Sequence, residues 1–201
     1  MFATLAAALI LTAAPGPLSV VKNADQEVQK VLSGPDASPA KLAARADEFV
    51  DFGELAKRAM GAQWEKLQKK QQDELRETMK GLLRASYAQK AVSDGKGGAA
   101  KVEYGEEKTE GNEATVNTKL TVNKQDTYPV VYKLYRADAK GPWRVYDVIT
   151  DDVSLVTTYA DQFRAVMDKK GFDGLLKTLK DRQASLEKQN AEQSAGGAAG
   201  K

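Results

Sequence analysis

The stretch Trp143-Arg-Val-Tyr-Asp-Val-Ile-Thr-Asp-Asp-Val-Ser-Leu-Val-Thr-Thr-Tyr-Ala-Asp-Gln-Phe163 decides the fold of this chain. It reads as a strand, a tight acidic turn and the start of a helix. The helical pattern runs on to a break at Gly171 and resumes in Gly171-Phe-Asp-Gly-Leu-Leu-Lys-Thr-Leu179. The segment is rich in large apolar groups and poor in reactive ones. That balance suits holding an apolar object better than breaking bonds.

Upstream of it lie three more extended segments. Residues 101–107 form a first, weaker one. Ala114, Val116, Thr118, Leu120 and Val122 alternate with polar residues, the pattern of a half-buried strand. Asn123-Lys-Gln-Asp126 turns into the strand 127–136, where Val130, Tyr132 and Leu134 face one way. Ala137-Asp-Ala-Lys-Gly141 then turns into 142–149. Sequential strands with short turns make an antiparallel meander.

The first half is helical. Leu18, Val21, Ala24, Val28, Val31 and Leu32 form a stripe that ends at Gly34-Pro35. Ser38-Pro39 reads as an N-cap followed by proline at the first helical position, opening a helix that carries Leu42, Ala46 and Phe49. Asp51 caps a third helix holding Leu55, Ala56, Ala59 and Met60, which stops near Gly61. Trp64 and Leu67 follow in a short helical turn. The longest helix, about 71–92, turns Leu75, Met79, Leu82, Leu83, Ser86 and Tyr87 inward. Ser93-Asp-Gly-Lys-Gly-Gly98 is a linker. Helices gathered before and after one meander predict an α+β fold, with helices packed on one face of a curved sheet of about four strands.

The 201 residues fit one domain. The expected division is a secretory signal peptide over 1–17, one domain over 18–190 and a disordered tail over 191–201. The apolar run Met1–Ala14 is too short to span a bilayer and resembles the core of such a peptide. Net charge is only +2, with both signs interspersed, so nothing marks a nucleic-acid binder.

The chain has no cysteine and no histidine. Disulfides, thiolate sites, Ser-His-Asp and Cys-His mechanisms are therefore excluded. Paired carboxylates or a magnesium site remain formally open. Asp151-Asp152, at a strand-to-helix junction, reads as helix capping rather than as a metal or acid/base site. Ser154 reads as a second capping hydroxyl. Asp147 is the best-placed candidate acid or base, yet its alternation puts it beside Trp143 and Val145, and a structural hydrogen bond is the better reading. No cofactor is implied. The inward Trp64, Met79, Tyr87, Tyr132, Tyr146, Phe163 and Met167 fit either a filled core or the wall of an apolar pocket.

Asp51-Phe52, Glu54-Leu-Ala-Lys-Arg-Ala-Met-Gly61 and Trp64 resemble the start of MlaC family proteins, also described as toluene-tolerance or phospholipid-binding ABC-transport auxiliary proteins. Leu82-Leu-Arg-Ala-Ser-Tyr-Ala88, Val102-Glu-Tyr104, Trp143-Arg-Val-Tyr-Asp-Val148, Val153-Ser-Leu-Val156, Tyr159, Gln162-Phe163 and Gly171-Phe-Asp-Gly-Leu-Leu176 follow in family order, over roughly 20–188. One departure is Asp152, where the family usually carries glycine.

The resemblance implies a twisted antiparallel sheet wrapped by helices, cone-shaped and similar to the nuclear-transport-factor type, enclosing an apolar cavity. It implies a monomeric periplasmic carrier that shuttles glycerophospholipid. Its expected partners are an outer-membrane lipoprotein complex and an inner-membrane ABC transporter with MCE-domain subunits. The expected lipid-binding residues are Leu55, Met60, Trp64, Met79, Leu83, Tyr87, Val116, Leu120, Val130, Tyr132, Leu134, Tyr146, Val148, Val153, Val156, Tyr159, Phe163, Met167, Leu175 and Leu179. Two acyl chains hold on the order of 30 methylenes, and exposing them to water costs about 25 kcal/mol. A carrier must offset most of that by burial. The alternatives are an isomerase- or hydratase-like enzyme of a related cone fold, and a ligand-free periplasmic adaptor.

Overall fold

In the computed structural model, residues 14–34, 38–93, 101–122 and 126–198 are described. Residues 1–13 of the expected signal peptide, much of the glycine-rich linker and the turn at 123–125 fall outside them. Four helices precede the sheet: α1 (Pro17–Ser33), α2 (Pro39–Phe49), α3 (Phe52–Met60) and α4 (Lys69–Ser93), with a 3-10 turn over Gly61–Lys66. Strands β1 (Lys101–Glu110), β2 (Glu113–Val122), β3 (Asp126–Tyr135), β4 (Arg144–Thr150) and β5 (Val153–Ser154) follow, then helix α5 (Leu155–Ala198). The sheet is an open antiparallel meander in the order β1-β2-β3-β4-β5.

Helix boundaries follow the capping chemistry. The Ser38 hydroxyl accepts the Lys41 amide and Pro39 sits in the first turn of α2. Asp51 accepts the Glu54 amide at 2.9 Å to start α3. Gly171, at φ 65° and ψ −170°, breaks α5 into two arms that pack on the same core. Only glycine enters such a conformation cheaply. At Gly81 a Cβ would lie 2.4 Å from the Gln183 side chain, so glycine lets α4 and the second arm of α5 approach.

The helix continues to Ala198, beyond the end that composition predicts for the ordered domain. Alanine, glutamine and glutamate are good helix formers, and the arm is anchored by buried Leu186 and by Asn190, whose side chain donates to the Ala85 carbonyl at 2.9 Å.

Two apolar cores result. One joins α3, the 3-10 turn, α4 and α5 around Leu55, Leu75, Met79, Phe163 and Leu175. The other joins α1 to the sheet through Val20, Val21, Ala114, Val116, Leu134, Trp143 and Val145. Val50, between α2 and α3, packs against both. It also bridges β4 at Val145, where the Asp51 amide donates to the Val145 carbonyl at 2.8 Å.

Asp151 and Asp152 do not cap the following helix. They are the two central residues of the β4–β5 hairpin, at φ 50° and 62°. A two-residue hairpin turn of type I′ has positive φ at both central positions, which asparagine, aspartate and glycine tolerate best. The Ser154 hydroxyl and Asp147 hold the helix start instead. Replacing Asp152 by glycine removes the steric cost of the left-handed region, so Asp152→Gly is expected to stabilise the fold by about 1 kcal/mol. Urea unfolding checks this, and an unchanged or lower midpoint would contradict it.

Candidate functional site

The expected lipid-binding residues divide between the two cores. Leu55, Met60, Trp64, Met79, Leu83, Phe163, Leu175 and Leu179 are buried in the helical core, with Val156, Tyr159 and Met167 half-buried against it. Val116 and Leu134 belong to the sheet core, with Tyr132 and Val148 half-buried beside them. Val130 is buried and Leu120 half-buried farther along the same sheet face. Val153 is 60 % exposed on the hairpin. Tyr87 lies on α4 with its side chain outside the described residues.

Leu55, Met79, Phe163 and Leu175 are at most 1 % exposed and form the packed centre of the helical core, while Leu120, Tyr132, Val148, Val156, Tyr159 and Met167 are half-buried.

Cross-strand pairing explains the inward face. Leu134 opposes Ala114 and Val145, Tyr132 opposes Val116 and Val148, and Val130 opposes Thr118 and Thr150. Opposed residues share a face. A register shift between Lys133 and Leu134 then changes which β4 side chains point inward. Val145 takes the place opposite Leu134, and Tyr146 is left in the bulge.

Tyr146 therefore turns away from the inward set, where strict alternation puts it. Its ring lies edge-on to Tyr135 with centroids 6.1 Å apart, and the Arg58 guanidinium sits 3.6 Å above its centre. Its hydroxyl donates to Glu113 at 2.9 Å. The same shift separates Asp147 from Val145.

This polar cluster ties α3 to the sheet. Arg58 pairs with Glu54 at 2.9 Å and with Glu113 at 2.5 Å, and the Tyr135 hydroxyl donates to Asp51 at 2.5 Å. Burial pushes the Tyr146 phenol up to about 12; the bond to Glu113 adds to this and Arg58 opposes it. Burial likewise raises Tyr135 well above the usual phenol range, helped by Asp51. For Arg58, burial disfavours the charge, yet the bonds to Glu113 and Glu54 outweigh it and raise its pKa. These shifts keep both phenols as hydrogen-bond donors across the ordinary pH range.

Asp147 is 2 % exposed. It accepts the Ser154 hydroxyl at 2.7 Å and the Val156 amide at 3.1 Å, and Ser154 in turn accepts the Thr157 amide at 3.1 Å. Its carboxylate is thus engaged in starting α5. No cluster of three or more metal-binding side chains occurs among the described residues. No helix among them is long and apolar enough to cross a membrane.

Two concavities open on the surface. A cleft of about 480 Å³ lies where α2, α3, α4 and β4 meet and is lined by Asp47, Val50, Asp51, Glu77, Lys80 and Arg144 among others. A shallower groove of about 600 Å³ lies between α2, α4 and the second arm of α5, lined by Ala40, Ala43, Ala44 and Ala85 with polar neighbours. Sequence spacing missed the cleft because its residues come from α2, α3, α4, β3 and β4.

A meander backed by helices, with its apolar residues gathered in two cores and its polar residues used for caps and crossings, defines a class of α+β fold with no evident reactive centre among the described residues. The chain belongs to the MlaC protein family, whose model matches residues 19–181. The fold is also similar to a solved structure of the phospholipid-binding protein from Ralstonia solanacearum, in complex with a phospholipid, with a TM-score of 0.74. The two chains are 24% identical, and the match covers 86% of this chain and 99% of that one. No curated protein matches the sequence.

Proposed function

We propose that the protein is a periplasmic phospholipid carrier that shuttles glycerophospholipid between an outer-membrane complex and an inner-membrane ABC transporter. The observation that carries this reading is membership of the MlaC family across residues 19–181. The phospholipid bound by the structurally similar Ralstonia protein supports it. So does the division of the apolar residues into two cores that share Val50.

In this reading the acyl chains lodge at the boundary of the two cores. The centres of both cores are packed, so full uptake of two acyl chains requires the helical body to move relative to the sheet. Beside the apolar contact of Val50, the crossings at that boundary include polar ones: Arg58–Glu113, Tyr135–Asp51 and the Arg144 bonds to the Asp47 and Val50 carbonyls at 3.0 and 2.9 Å. Polar contacts exchange with water at a smaller net cost than buried apolar surface, because water replaces the lost partner. The seam is therefore the natural place to open.

Native mass spectrometry of the purified full chain tests the proposal. A mass increment of a single phospholipid, lost on organic extraction, is the expected result. Protein that carries no lipid and takes none from vesicles would sink the carrier reading. An enzyme of a related cone fold would instead turn over a small substrate through Asp147, whose carboxylate here is engaged by Ser154 and Val156.

A further inference from the structure

The family match ends at residue 181, but the second arm of α5 runs on as helix to Ala198. Residues 182–201 carry a single large apolar side chain, Leu186. It is 2 % exposed and joins the helical core, so the arm is packed against the body although its other side chains are small or polar.

The polar contacts of the arm converge on the carboxyl half of α4. Gln183 lies against Gly81, where a Cβ would come within 2.4 Å of its side-chain nitrogen. The Asn190 side chain donates to the Ala85 carbonyl at 2.9 Å. Just before the arm, Lys180 pairs with Glu74, nearer the start of α4, at 2.6 Å. The carboxyl half of α4 also holds Leu82 and Leu83 in the helical core, and it ends at Ser93, where the chain leaves for the sheet. On its other flank Asp47 of α2 pairs with Arg84 and Lys80, and the groove between α2 and the arm keeps those two apart.

We infer that the segment from Arg182 to Ala198 is a detachable strap: it braces the carboxyl half of α4 against the helical body and slows both uptake and release of lipid. The inference rests on the carrier reading. Two features make the segment a strap rather than one more core helix. One buried leucine and two polar ties are a small anchorage for a helical arm of this length, so the arm can lift while the core around Leu75, Met79, Phe163 and Leu175 stays packed. It also continues a helix already nucleated by the packed part of α5, and its alanine, glutamine, glutamate and lysine favour that helix, so it docks again as a preformed rod.

The braced half of α4 is the last part of the helical body before the chain crosses into the sheet, so its freedom governs how readily the body moves relative to the sheet. The polar ties of the arm are made to α4, at Gly81 and the Ala85 carbonyl. A brace of that kind stabilises the loaded and the lipid-free protein alike. It therefore changes rates and leaves occupancy unaltered, because only differential contact with the lipid shifts an equilibrium.

The test uses the full chain with Leu186→Asp, which puts a charge at the anchor, and with Asn190→Ala, which removes one polar tie. Ser185→Asp, on the exposed side of the arm, is the control. Amide hydrogen exchange of the lipid-free protein is expected to quicken over 82–93 by about tenfold in Leu186→Asp and about threefold in Asn190→Ala, with α3 unchanged. Lipid movement is then followed in both directions. Protein loaded with phosphatidylethanolamine is mixed with excess phosphatidylcholine vesicles, and empty protein with phosphatidylethanolamine vesicles. Release and uptake are both expected to quicken about tenfold in Leu186→Asp, with final occupancy unchanged. Ser185→Asp is expected to match the wild type in every reading.

Unchanged amide exchange over 82–93 in both variants, or faster amide exchange with unchanged lipid transfer, would overturn the strap and leave the carrier reading standing. So would equal effects from Ser185→Asp, or a fall in occupancy without a change in rates. Unfolding of the whole helical body in Leu186→Asp would show that the arm is part of the core, and an unaltered Asn190→Ala would then agree. Wild type that takes up no lipid would overturn the carrier reading, and the role of the strap in lipid exchange with it.

Discussion

Replacing Phe163 by alanine is expected to destabilise the protein by about 4 kcal/mol. The ring is 1 % exposed and belongs to the helical core, with Tyr159 tilted against it at 5.9 Å between centroids. Its removal loses the transfer free energy of the ring and leaves a void that the α3, α4 and α5 packing closes only in part. For a chain of this size that loss corresponds to a fall in Tm of roughly 12 °C. Val153→Ala provides the contrast: Val153 is 60 % exposed, and its truncation is expected to change stability by less than about 0.5 kcal/mol. Both residues look alike as apolar members of one segment. Thermal or urea unfolding separates them, and equal effects would mean that the helical core is not packed as described.

Replacing Asp147 by alanine is expected to cost about 3 kcal/mol. The buried carboxylate accepts the Ser154 hydroxyl and the Val156 amide, so truncation strands two donors at the start of α5. Asparagine keeps one carbonyl oxygen in place, and Asp147→Asn is expected to lose about half as much. The pair of variants also bears on chemistry. A structural Asp147 predicts that lipid loading falls only as far as the folded fraction falls. Loading abolished in a fully folded Asp147→Asn would show a direct role in binding instead.

The helices were legible because their signals are local. Ser38-Pro39, Asp51 and Gly171 mark starts and breaks through their own backbone chemistry, and the structure keeps each of them. Alternation in 114–122 and 128–134 likewise fixed one face of the sheet. Leu75, Met79, Leu82 and Leu83 are buried as their spacing requires.

The errors of reading arise where a local pattern meets a non-local constraint. Asp151 and Asp152 fit a helix cap by position, but the pairing of Ile149 with Ser154 and of Thr150 with Val153 turns them into a hairpin. Tyr146 and Val148 have the parity of one face, but the register shift opposite Lys133 and Leu134 sends Tyr146 to Arg58 and Glu113. A bulge is set by pairing with another strand, and its own residues carry no signal of it.

The sequence by itself determined the α+β class, the order of helices and meander, the identity of most core residues and the family resemblance. It also excluded every mechanism that needs cysteine or histidine, because composition alone decides that. Only the tertiary structure decided that the apolar residues form two cores meeting at Val50, that Asp147 starts α5, and that Asp51, Glu77, Lys80 and Arg144 gather in one cleft. Those facts depend on register and on elements far apart in the chain, and periodicity within one element carries no information about either.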